Sequence, residues 1–482
     1  MPMKNSTRHL CAWAAALALT ICCLLLCVRV LTGKGAAPAA SLPAPPDHRL
    51  PHCLVNVRYI RDEGVLAVTQ TWQFMLAGAS GTDDIRFYAP AGAYSREDTS
   101  PAAVRDLFEA AYGDAFSPGM LLPDSCFVDQ TPARVTADPD DPSLLIVHRA
   151  VEPGRTVTAE LRFRLILPKC AHRFGIAGEV VRAVRVLPEL CQDSSGQWVV
   201  PDLPCYGDGP LTRICDVTYR ASLPEGFTML TGALKSVTGP AFLIVPDSFS
   251  RSTVRAGSMS LTLYAGDERS LSAAAGQAQQ LLNALCALYG PLADAQLTAV
   301  LCPYTDTGLT APGLTVLCPD QSGKVLPGDM AYWLAGQWTD RLLPADGLTE
   351  AWLGHALRQW SALRAISRAY GANAADDLKR AVIDSSMREN LLARLTPGMR
   401  ADVFPSQALF RTVMDGRGGA LMYALDTYLS GRLDELILSL MRSQPYEPLT
   451  GDAVKRAAQR LSMGDPLPLF ADYLDTYINE GD

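Results

Sequence analysis

The sequence predicts a multidomain protein: an N-terminal transmembrane helix, then an antiparallel β-sandwich or saddle, then a mostly helical α+β domain. Three observations predict this fold class. A charge-free apolar run lies near the N-terminus, strand-like alternation dominates the segment after it, and helical periodicity takes over from Asp267. The chain of 482 residues is long enough for two or three domains with hydrophobic cores of their own.

The apolar run is the first element. Residues 10–28 contain no charged side chain, and Lys4 and Arg8 precede them. Because about twenty apolar residues cross a bilayer as a helix, we predict a cytoplasmic segment at residues 1–9 and a transmembrane signal anchor at residues 10–31. The positive charges before the run favour this orientation. It places the bulk of a single-pass chain on the extracytoplasmic side of the cell membrane.

A cleaved signal peptide is the alternative for this segment, with a small-residue cleavage site at Ala37-Pro-Ala39. Arg29, Lys34 and a long gap separate the apolar run from that site, so the sequence favours the uncleaved anchor. Residues 32–51 are rich in Ala and Pro, which predicts an extended linker. The net charge of -8, without a basic stripe carrying interleaved aromatic residues, predicts no nucleic-acid partner.

Residues 52–265 are predicted to form the β-rich domain. Apolar and polar residues alternate along several stretches, as expected for strands with one buried and one exposed face. The clearest stretch has apolar side chains at Val157, Ala159, Leu161, Phe163, Leu165 and Leu167. Residues 101–112 interrupt the strands and predict a short surface helix.

Residues 266–482 are predicted to form the helical domain, with a small sheet inside it. Asp267 is the expected N-cap of a helix that Gly290 and Pro291 end. Short strands are predicted at residues 297–301 and 313–317. Further helices are predicted at residues 329–343, 348–370, 376–393, 418–429, 433–441 and 451–461.

The cysteines leave the disulfide pattern open. Four of the 13 cysteines lie in the apolar run, at positions 11, 22, 23 and 27, so nine lie outside it. Cys170, Cys191, Cys205 and Cys215 are close enough in sequence to suggest one or two disulfides. Buried free thiols are the alternative.

The most informative motif is the stretch from Tyr332 to Trp338, Y-W-L-A-G-Q-W, followed by W-L-G-H at residues 352–355. It resembles the active-site helix pair of aminopeptidase N-like zinc peptidases, the gluzincin family of membrane alanyl aminopeptidase. There, H-E-x-x-H supplies two zinc ligands with a general base between them, and a Glu on the next helix is the third ligand. The residues that match the family around these positions are Ala335, Gln337, Trp338, Leu342, Trp352 and Leu353.

Weaker matches in the same order support the resemblance. They are R-F-G at residues 173–175, a strand and turn at residues 216–232, and a helix with its following Pro at residues 270–291. The resemblance implies an aminopeptidase N-terminal-like β-domain over residues 52–265. It also implies a thermolysin-like, degenerate peptidase domain over residues 266–482.

The resemblance also implies that the zinc chemistry is lost. The three ligand positions hold Tyr332, Gly336 and His355, and Trp333 replaces the general base. Tyr332 and Trp333 have two interpretations. They fill the space of the former metal site, which we favour, or they form the floor of a cleft that binds a ligand by stacking.

Two further family positions are replaced. Thr310 stands where the family has the Glu that binds the substrate's free amine, and a neutral hydroxyl lacks that charge-assisted contact. Gly416 stands where the family has the catalytic Tyr. We therefore expect no catalytic residue and no cofactor, although zinc is the cofactor of the family. The predicted remnant-cleft positions are Thr310, Tyr332, Trp333, Gly336, His355 and Gly416.

The leading functional hypothesis is a membrane-anchored, non-catalytic homologue of aminopeptidase N-type metallopeptidases. It would contact the membrane through its N-terminal helix and bind a peptide or a membrane-protein partner. One alternative is an active metallopeptidase or other hydrolase with a site rebuilt around His355, Asp340 and Glu350. Another is a purely structural surface module.

Overall fold

The computed structural model describes residues 42–43, 50–76, 81–192, 197–232, 238–293, 295–388, 394–462 and 464–475. The predicted cytoplasmic segment and anchor at residues 1–31 lie outside these ranges, as does most of the predicted linker. Among the residues described, no helix is both long and apolar enough to cross a membrane. Membrane anchoring therefore stays a prediction from the sequence.

The strands of the described residues are labelled β1 to β18 in chain order. They are β1 His52–Ile60, β2 Val65–Met75, β3 Thr82–Tyr88, β4 Met120–Val128, β5 Thr131–Ala137, β6 Leu144–Val151, β7 Thr156–Ile166, β8 Phe174–Ala177, β9 Val180–Val184, β10 Glu189–Leu190, β11 Asp216–Ser222, β12 Phe227–Thr231, β13 Ala241–Pro246, β14 Ser250–Ala256, β15 Met259–Ala265, β16 Gln296–Leu301, β17 Gly308–Ala311 and β18 Leu314–Leu317.

The α-helices are labelled α1 to α10 in the same way. They are α1 Phe108–Tyr112, α2 Glu268–Tyr289, α3 Pro327–Leu342, α4 Ala351–Tyr370, α5 Ala372–Lys379, α6 Gln407–Arg411, α7 Gly418–Tyr428, α8 Leu433–Ser443, α9 Gly451–Leu461 and α10 Leu467–Leu474. π-Helical turns follow α5 and α6, at Arg380–Asp384 and Thr412–Arg417.

The β-rich part contains a nine-stranded sheet in the order β10-β3-β6-β5-β4-β7-β2-β1-β11. Its neighbours are antiparallel except β1 and β11, which are parallel. The predicted alternation is observed in β7, where Val157, Leu161 and Leu165 are buried and Arg162 and Arg164 are exposed. A four-stranded sheet in the order β12-β13-β9-β8 completes this part. The predicted N-terminal β-rich region is confirmed.

The third sheet shows that the predicted domain boundary at residue 265 lies too late. Its order is β14-β15-β16-β18-β17, so β15, assigned to the first domain, pairs with β16 of the second, and β14 pairs with β15. Period-two alternation marks a half-buried strand without telling which sheet the strand joins. The boundary between the two parts therefore falls just before β14.

The helical part packs around this third sheet. Asp267 caps α2 as predicted, because its carboxylate accepts a hydrogen bond from the N–H of Ser270 at 2.8 Å. The helix ends before Gly290, whose φ of 91° suits a residue without a side chain. Helix α4 lies in the middle of the helical layer and contacts α2, α3, α5 and α7. The predicted C-terminal helical region is confirmed.

Several elements differ from the sequence-based expectation. Only Phe108–Tyr112 is helical within the predicted helix at residues 101–112. The helix predicted at residues 376–393 is interrupted by a π-helical turn, and residues 389–393 lie outside the described ranges. Helix α10 was not predicted, because it is too short to show a period.

Two residues of the predicted linker contact the folded body. Leu42 is buried, and its N–H lies 3.5 Å from the carbonyl oxygen of Pro291. The hydroxyl of Tyr446 donates to the carbonyl of Pro43 at 3.2 Å. These two residues of the predicted linker therefore lie against the folded body.

The nine cysteines beyond the apolar run are all described, and each is a free thiol. Six of them are buried. Burial raises the pKa of a thiol because the thiolate loses its hydration; the pKa of Cys126, for example, is raised to about 12. Of the two possibilities left open by the sequence, the structure has free thiols.

Gln337, in the middle of α3, ties the third sheet to the helical layer. Its amide nitrogen lies 2.9 Å from the hydroxyls of Thr310 and Thr315 and 3.1 Å from the carbonyl oxygen of Ala311. Its amide oxygen accepts from the N–H of Gly313 at 2.7 Å. The residue is completely buried, so these contacts are made without competition from water.

Two tryptophans of the recognised motif have similar structural contacts. The indole N–H of Trp338 donates to the carbonyl of Gly290 at 2.9 Å and so fixes the end of α2. The indole N–H of Trp352 donates to the carboxylate of Glu350 at 3.0 Å, at the start of α4. The motif residues that match the peptidase family thus hold the fold together.

We expect Gln337→Ala to lower the free energy of unfolding by roughly 2–4 kcal/mol, because it leaves several buried polar groups without partners. Gln280→Ala, on the exposed face of α2, is the control and should change it by less than about 0.5 kcal/mol. Urea unfolding measures both. Equal midpoints for the two variants would contradict the role of Gln337.

Candidate functional site

Three buried side chains meet where α3, α4 and the second π-helical turn come together. The hydroxyl of Tyr332 donates to Asp415 Oδ1 at 2.7 Å. His355 Nδ1 lies 2.7 Å from the same carboxylate oxygen and 2.8 Å from the Tyr332 hydroxyl. None of the three side chains is more than 3% exposed. Tyr332 and His355, two of the positions that the resemblance matches to zinc ligands, are therefore hydrogen-bonded to each other. Both are also bound to the carboxylate of Asp415, which was not among the predicted site residues.

Arg411, at the end of α6, supplies a positive charge to this cluster. Its guanidinium pairs with Asp415 Oδ2 and lies 2.8 Å from both carboxylate oxygens of Asp306. The same group lies over two aromatic rings, 4.9 Å from the centroid of Tyr332 and 5.4 Å from that of Trp333. The buried Asp415 carboxylate is thereby fully paired.

A second guanidinium, that of Arg358 on α4, is completely buried beside the same rings. It pairs with Asp208, and its Nε lies 3.2 Å from Asp340 Oδ1. Its centre lies 5.1 Å from the ring centroid of Tyr332 and 5.4 Å from that of Trp333. Cation–π contacts that exclude water contribute about 2 kcal/mol each. Both aromatic residues of the former metal site are therefore packed against two fixed cations.

Gly336 leaves the room that Arg358 and its partners use. A Cβ atom at this position would lie 2.6 Å from the Thr310 methyl carbon, 2.8 Å from Asp340 Oδ2 and 3.3 Å from Arg358 Cδ. All three distances are shorter than ordinary van der Waals contacts. Position 336, which the resemblance matches to a zinc ligand, thus has no space for a histidine, or for any side chain, in this packing.

Trp333 covers the edge strand of the third sheet. Its indole N–H donates to the hydroxyl of Thr307 at 3.0 Å, and a Cβ atom at Gly308 would lie 2.5 Å from its ring. Thr310, farther along β17, directs its hydroxyl to Gln337 rather than to open space. Side chains of α3 therefore cover strand β17.

Gly416 has a different surrounding from the other remnant-cleft positions. A Cβ atom there would lie 2.4 Å from Ser386 Cβ and 3.0 Å from the carbonyl oxygen of Val382. Gly416 is a packing position against the segment that contains the first π-helical turn. Its neighbour Asp415 is the residue that reaches Tyr332 and His355.

The cavity that remains at this place is small. Its volume is about 30 Å³, which is room for one or two water molecules. Its lining includes His172, Tyr206, Asp208, Tyr304, Phe410 and Arg411. His355 Nε2 borders the cavity, has no hydrogen-bond partner among the described residues, and lies 3.9 Å from Asp208 Oδ2.

Solved structures identify the fold of the chain. An M1 zinc metallopeptidase of Deinococcus radiodurans, in a mutant form bound to a Tyr-Ser-Ala substrate, matches with a TM-score of 0.62 at 14% identity. The same peptidase without the mutation matches with a TM-score of 0.60 at 13% identity. Each comparison covers 92% of this chain and 98% of the other. The fold is that of the M1 zinc metallopeptidases. No protein-family model and no curated sequence matches the chain.

Zinc is the metal that the M1 fold implies, and the residues of this chain do not fit it. A catalytic zinc takes three protein ligands from His, Asp, Glu or Cys. Within the described ranges, no three such side chains are grouped to hold a metal ion. His355 offers only Nε2, because Nδ1 is bound to Asp415, and Arg358 and Arg411 already place two positive charges beside it.

The set of residues suggested for a rebuilt site is not brought together. The carboxylate of Glu350 accepts from the indole N–H of Trp352 and, at 3.1 Å, from the N–H of Gly451. Asp340 accepts from the hydroxyl of Thr339 at 3.0 Å and pairs with Arg358. His355 is instead bound to Asp415, so the partners expected for it were wrong.

The charged residues of the site are the ones that sequence reasoning missed. Asp415, Arg411, Arg358 and Asp208 have no counterpart in the motif that carries the resemblance. One signal was available: Arg411 and Asp415 are four residues apart, the spacing at which opposite charges pair on a helix. The other pairs join segments distant in sequence, which no local pattern reveals.

The electrostatics of the cluster are dominated by Asp415. Burial alone raises the pKa of this carboxyl, but Arg411, His355 and the hydrogen bonds from His355 and Tyr332 outweigh it and hold the pKa far below its usual range. Burial, together with the neighbouring Asp415 charge, raises the pKa of the Tyr332 phenol well above its usual range. At neutral pH the cluster therefore contains an ionised carboxylate and a neutral phenol.

We expect Asp415→Asn to lower the free energy of unfolding by roughly 3–5 kcal/mol at pH 7, because it removes the buried carboxylate that pairs with Arg411 and accepts hydrogen bonds from Tyr332 and His355. The folded-state pKa of Asp415 is depressed, so its contribution is present above the usual carboxyl pKa of about 3.9 and is lost as the pH falls below it. Denaturant unfolding from pH 8 to pH 3 should show the variant approaching wild type below about pH 4. Asp472→Asn, at an exposed position, is the control. A difference in unfolding free energy between wild type and Asp415→Asn that does not change with pH would contradict the depressed pKa of Asp415.

Gly336→Ala tests the packing around Arg358. Alanine favours a helix over glycine by about 1 kcal/mol, yet we expect this variant to be less stable than wild type because of the close contacts at Thr310 and Asp340. Gly276→Ala in α2 is the matched control: a Cβ atom there has nothing within 4 Å, so it should stabilise. Thermal unfolding shows whether each variant is more or less stable than wild type. A Gly336→Ala variant that is more stable than wild type would show that the site has free space.

Proposed function

We propose that the protein is a membrane-anchored, non-catalytic member of the M1 fold that acts by binding a peptide or protein partner. The single observation that carries this proposal is the buried guanidinium of Arg358. It stacks on Tyr332 and Trp333, pairs with Asp208, and uses the space left by Gly336. The proposed place of the protein is the cell membrane, with most of the chain extracytoplasmic.

The chemistry of the site supports the absence of catalysis. Peptide hydrolysis by a zinc enzyme needs a metal that activates water and polarises the carbonyl group, and a base that takes the proton. Trp333 occupies the base position, and its indole N–H is already bound to Thr307. The pair of Asp415 and His355 resembles a base with its orienting carboxylate, but the cavity beside it has room for one or two waters rather than a peptide.

The same closure bears on where a partner binds. Since the cavity is too small for a peptide and Trp333 covers the edge of β17, binding in the former cleft would require the packed aromatic rings and both arginines to move. Interactions with a partner therefore belong to the outer surface of the protein. A purely structural surface module remains the alternative that differs only in having no specific partner.

The proposed extracytoplasmic location rests on the apolar run at residues 10–28 and the positive charges before it. Nine free thiols are compatible with an oxidising compartment only if they are unreactive. Burial supports this, because it raises the pKa of Cys53, Cys191 and Cys215 as well as that of Cys126 and so suppresses the reactive thiolate.

The proposal is tested on full-length protein purified in a mild detergent. We expect no stoichiometric zinc by elemental analysis, and no hydrolysis of aminoacyl amides or of short peptides with or without added zinc. The His355→Ala variant is measured in parallel. Stoichiometric zinc, or turnover that a chelator and His355→Ala both abolish, would overturn the non-catalytic assignment in favour of a rebuilt active site.

A further inference from the structure

Strand β11 is an open edge of the nine-stranded sheet. It is the last strand in the sheet order and, within the described residues, pairs with β1 alone. Thr218, Arg220 and Ser222 point to the exposed face. An edge strand presents backbone N–H and C=O groups without ladder partners, which makes it a template for another strand. This edge is available for a main-chain interaction.

A groove of about 480 Å³ lies beside this edge, on the exposed face of the sheet. Arg58 on β1 and Arg220 on β11 line it, together with Arg162 and the polar side chains of Asn56, Thr69 and Ser222. One acidic side chain, that of Asp124, also lines the groove, and it pairs with Arg164 at 3.1 Å. Asn56 is the cross-strand partner of Arg220, and Ser222 is the partner of Arg58. The two arginines are therefore diagonal neighbours on adjacent strands.

The charges of these two arginines are not compensated. Neither Arg58 nor Arg220 lies within ion-pair distance of an acidic side chain in the described part of the chain. On the same face, by contrast, the Arg162 guanidinium lies 2.7 Å from Glu160. Like charges on neighbouring strands destabilise a sheet, and the chain as a whole is acidic. An unpaired basic pair on an acidic protein is suited to an anionic ligand.

We propose that β11 and the arginine groove form the docking site for an extended acidic segment of a partner protein. The segment adds to the open edge of β11 through its main chain. Its alternate side chains are acidic and face the groove, where one pairs with Arg220 and the next reaches Arg58, two strand spacings or about 10 Å away. This inference rests on the proposed function as a binding protein and names the class of partner.

Other occupants fit the observations less well. Two copies of β11 paired antiparallel about Tyr219 would place their Arg220 side chains as diagonal neighbours, so like charges oppose self-association. A flat anionic bilayer would not use the backbone groups of the edge. The acidic peptide is the one occupant that uses both the open edge and the paired guanidinium groups.

The test uses a fluorescent peptide in which Thr and Glu alternate, with the full-length protein in detergent at about 0.15 M salt, where distant charges are screened. A peptide of identical composition with Thr and Glu in pairs is the register control. We expect the alternating peptide to bind more tightly, and the double variant Arg58→Ser/Arg220→Ser to bind it about tenfold more weakly. Hydrogen exchange should show new protection of the β11 amides when the peptide binds.

The matched control variant is Arg251→Ser/Arg255→Ser on β14. Both arginines are exposed on another edge strand, but the side chain of Gln279 in α2 is bonded to the N–H and the carbonyl of Arg255 and covers that edge. This variant should bind the alternating peptide like wild type. Equal binding by all variants, no binding, or binding without protection of β11 would overturn the proposal.

Two further arms separate the rival occupants. Binding to phosphatidylserine vesicles that depends on Arg58 and Arg220, without peptide binding, would identify a membrane surface instead. Concentration-dependent dimers that the double variant strengthens would identify a second copy of the chain. Each result overturns the acidic-peptide assignment but leaves the non-catalytic proposal intact, since that depends on the separate zinc and hydrolysis measurements.

Discussion

The buried guanidinium of Arg358 is the interaction on which the centre of this molecule depends. A charge removed from water is tolerated only with close partners. Here Asp208, from the segment between β10 and β11, and Asp340, from α3, provide them, while two aromatic rings cover its faces. The same residue therefore joins the β-rich part to the helical layer and fills the space between α3 and α4.

The motif residues that match the M1 resemblance have structural contacts of their own, and these contacts hold the helix pair of the fold. Gln337 satisfies buried groups on β17 and β18, and Trp338 fixes the end of α2. Neither contact involves a metal ligand. These contacts do not depend on the residues at positions 332 and 336, where other groups fill the space and balance the charge.

More of the fold than of the candidate site could be predicted from the sequence. Alternation in β7 and helical spacing after Asp267 are local patterns, and both predicted the observed elements. The predicted domain boundary at residue 265 lies too late, because an alternating pattern does not show which sheet a strand joins. The pairing of Arg358 with Asp208 joins residues 150 positions apart, and the π-helical turn that directs Asp415 inward has no sequence signature. Charge pairs between residues distant in sequence could not be predicted from local sequence patterns.

The packing around Tyr332 and Trp333 leaves a cavity of only about 30 Å³, so the outer surface offers more room for a partner. A sheet edge is normally protected by charge, by a helix or by a loop. The edge at β14 has Gln279 of α2 across it, whereas β11, within the described residues, pairs with β1 alone and has Arg220 beside Arg58 of β1. Charge of one sign protects an edge against copies of itself and against basic strands, and it leaves the edge open to acidic ones. We expect the same two arginines to disfavour self-pairing of this edge and to favour acidic partners.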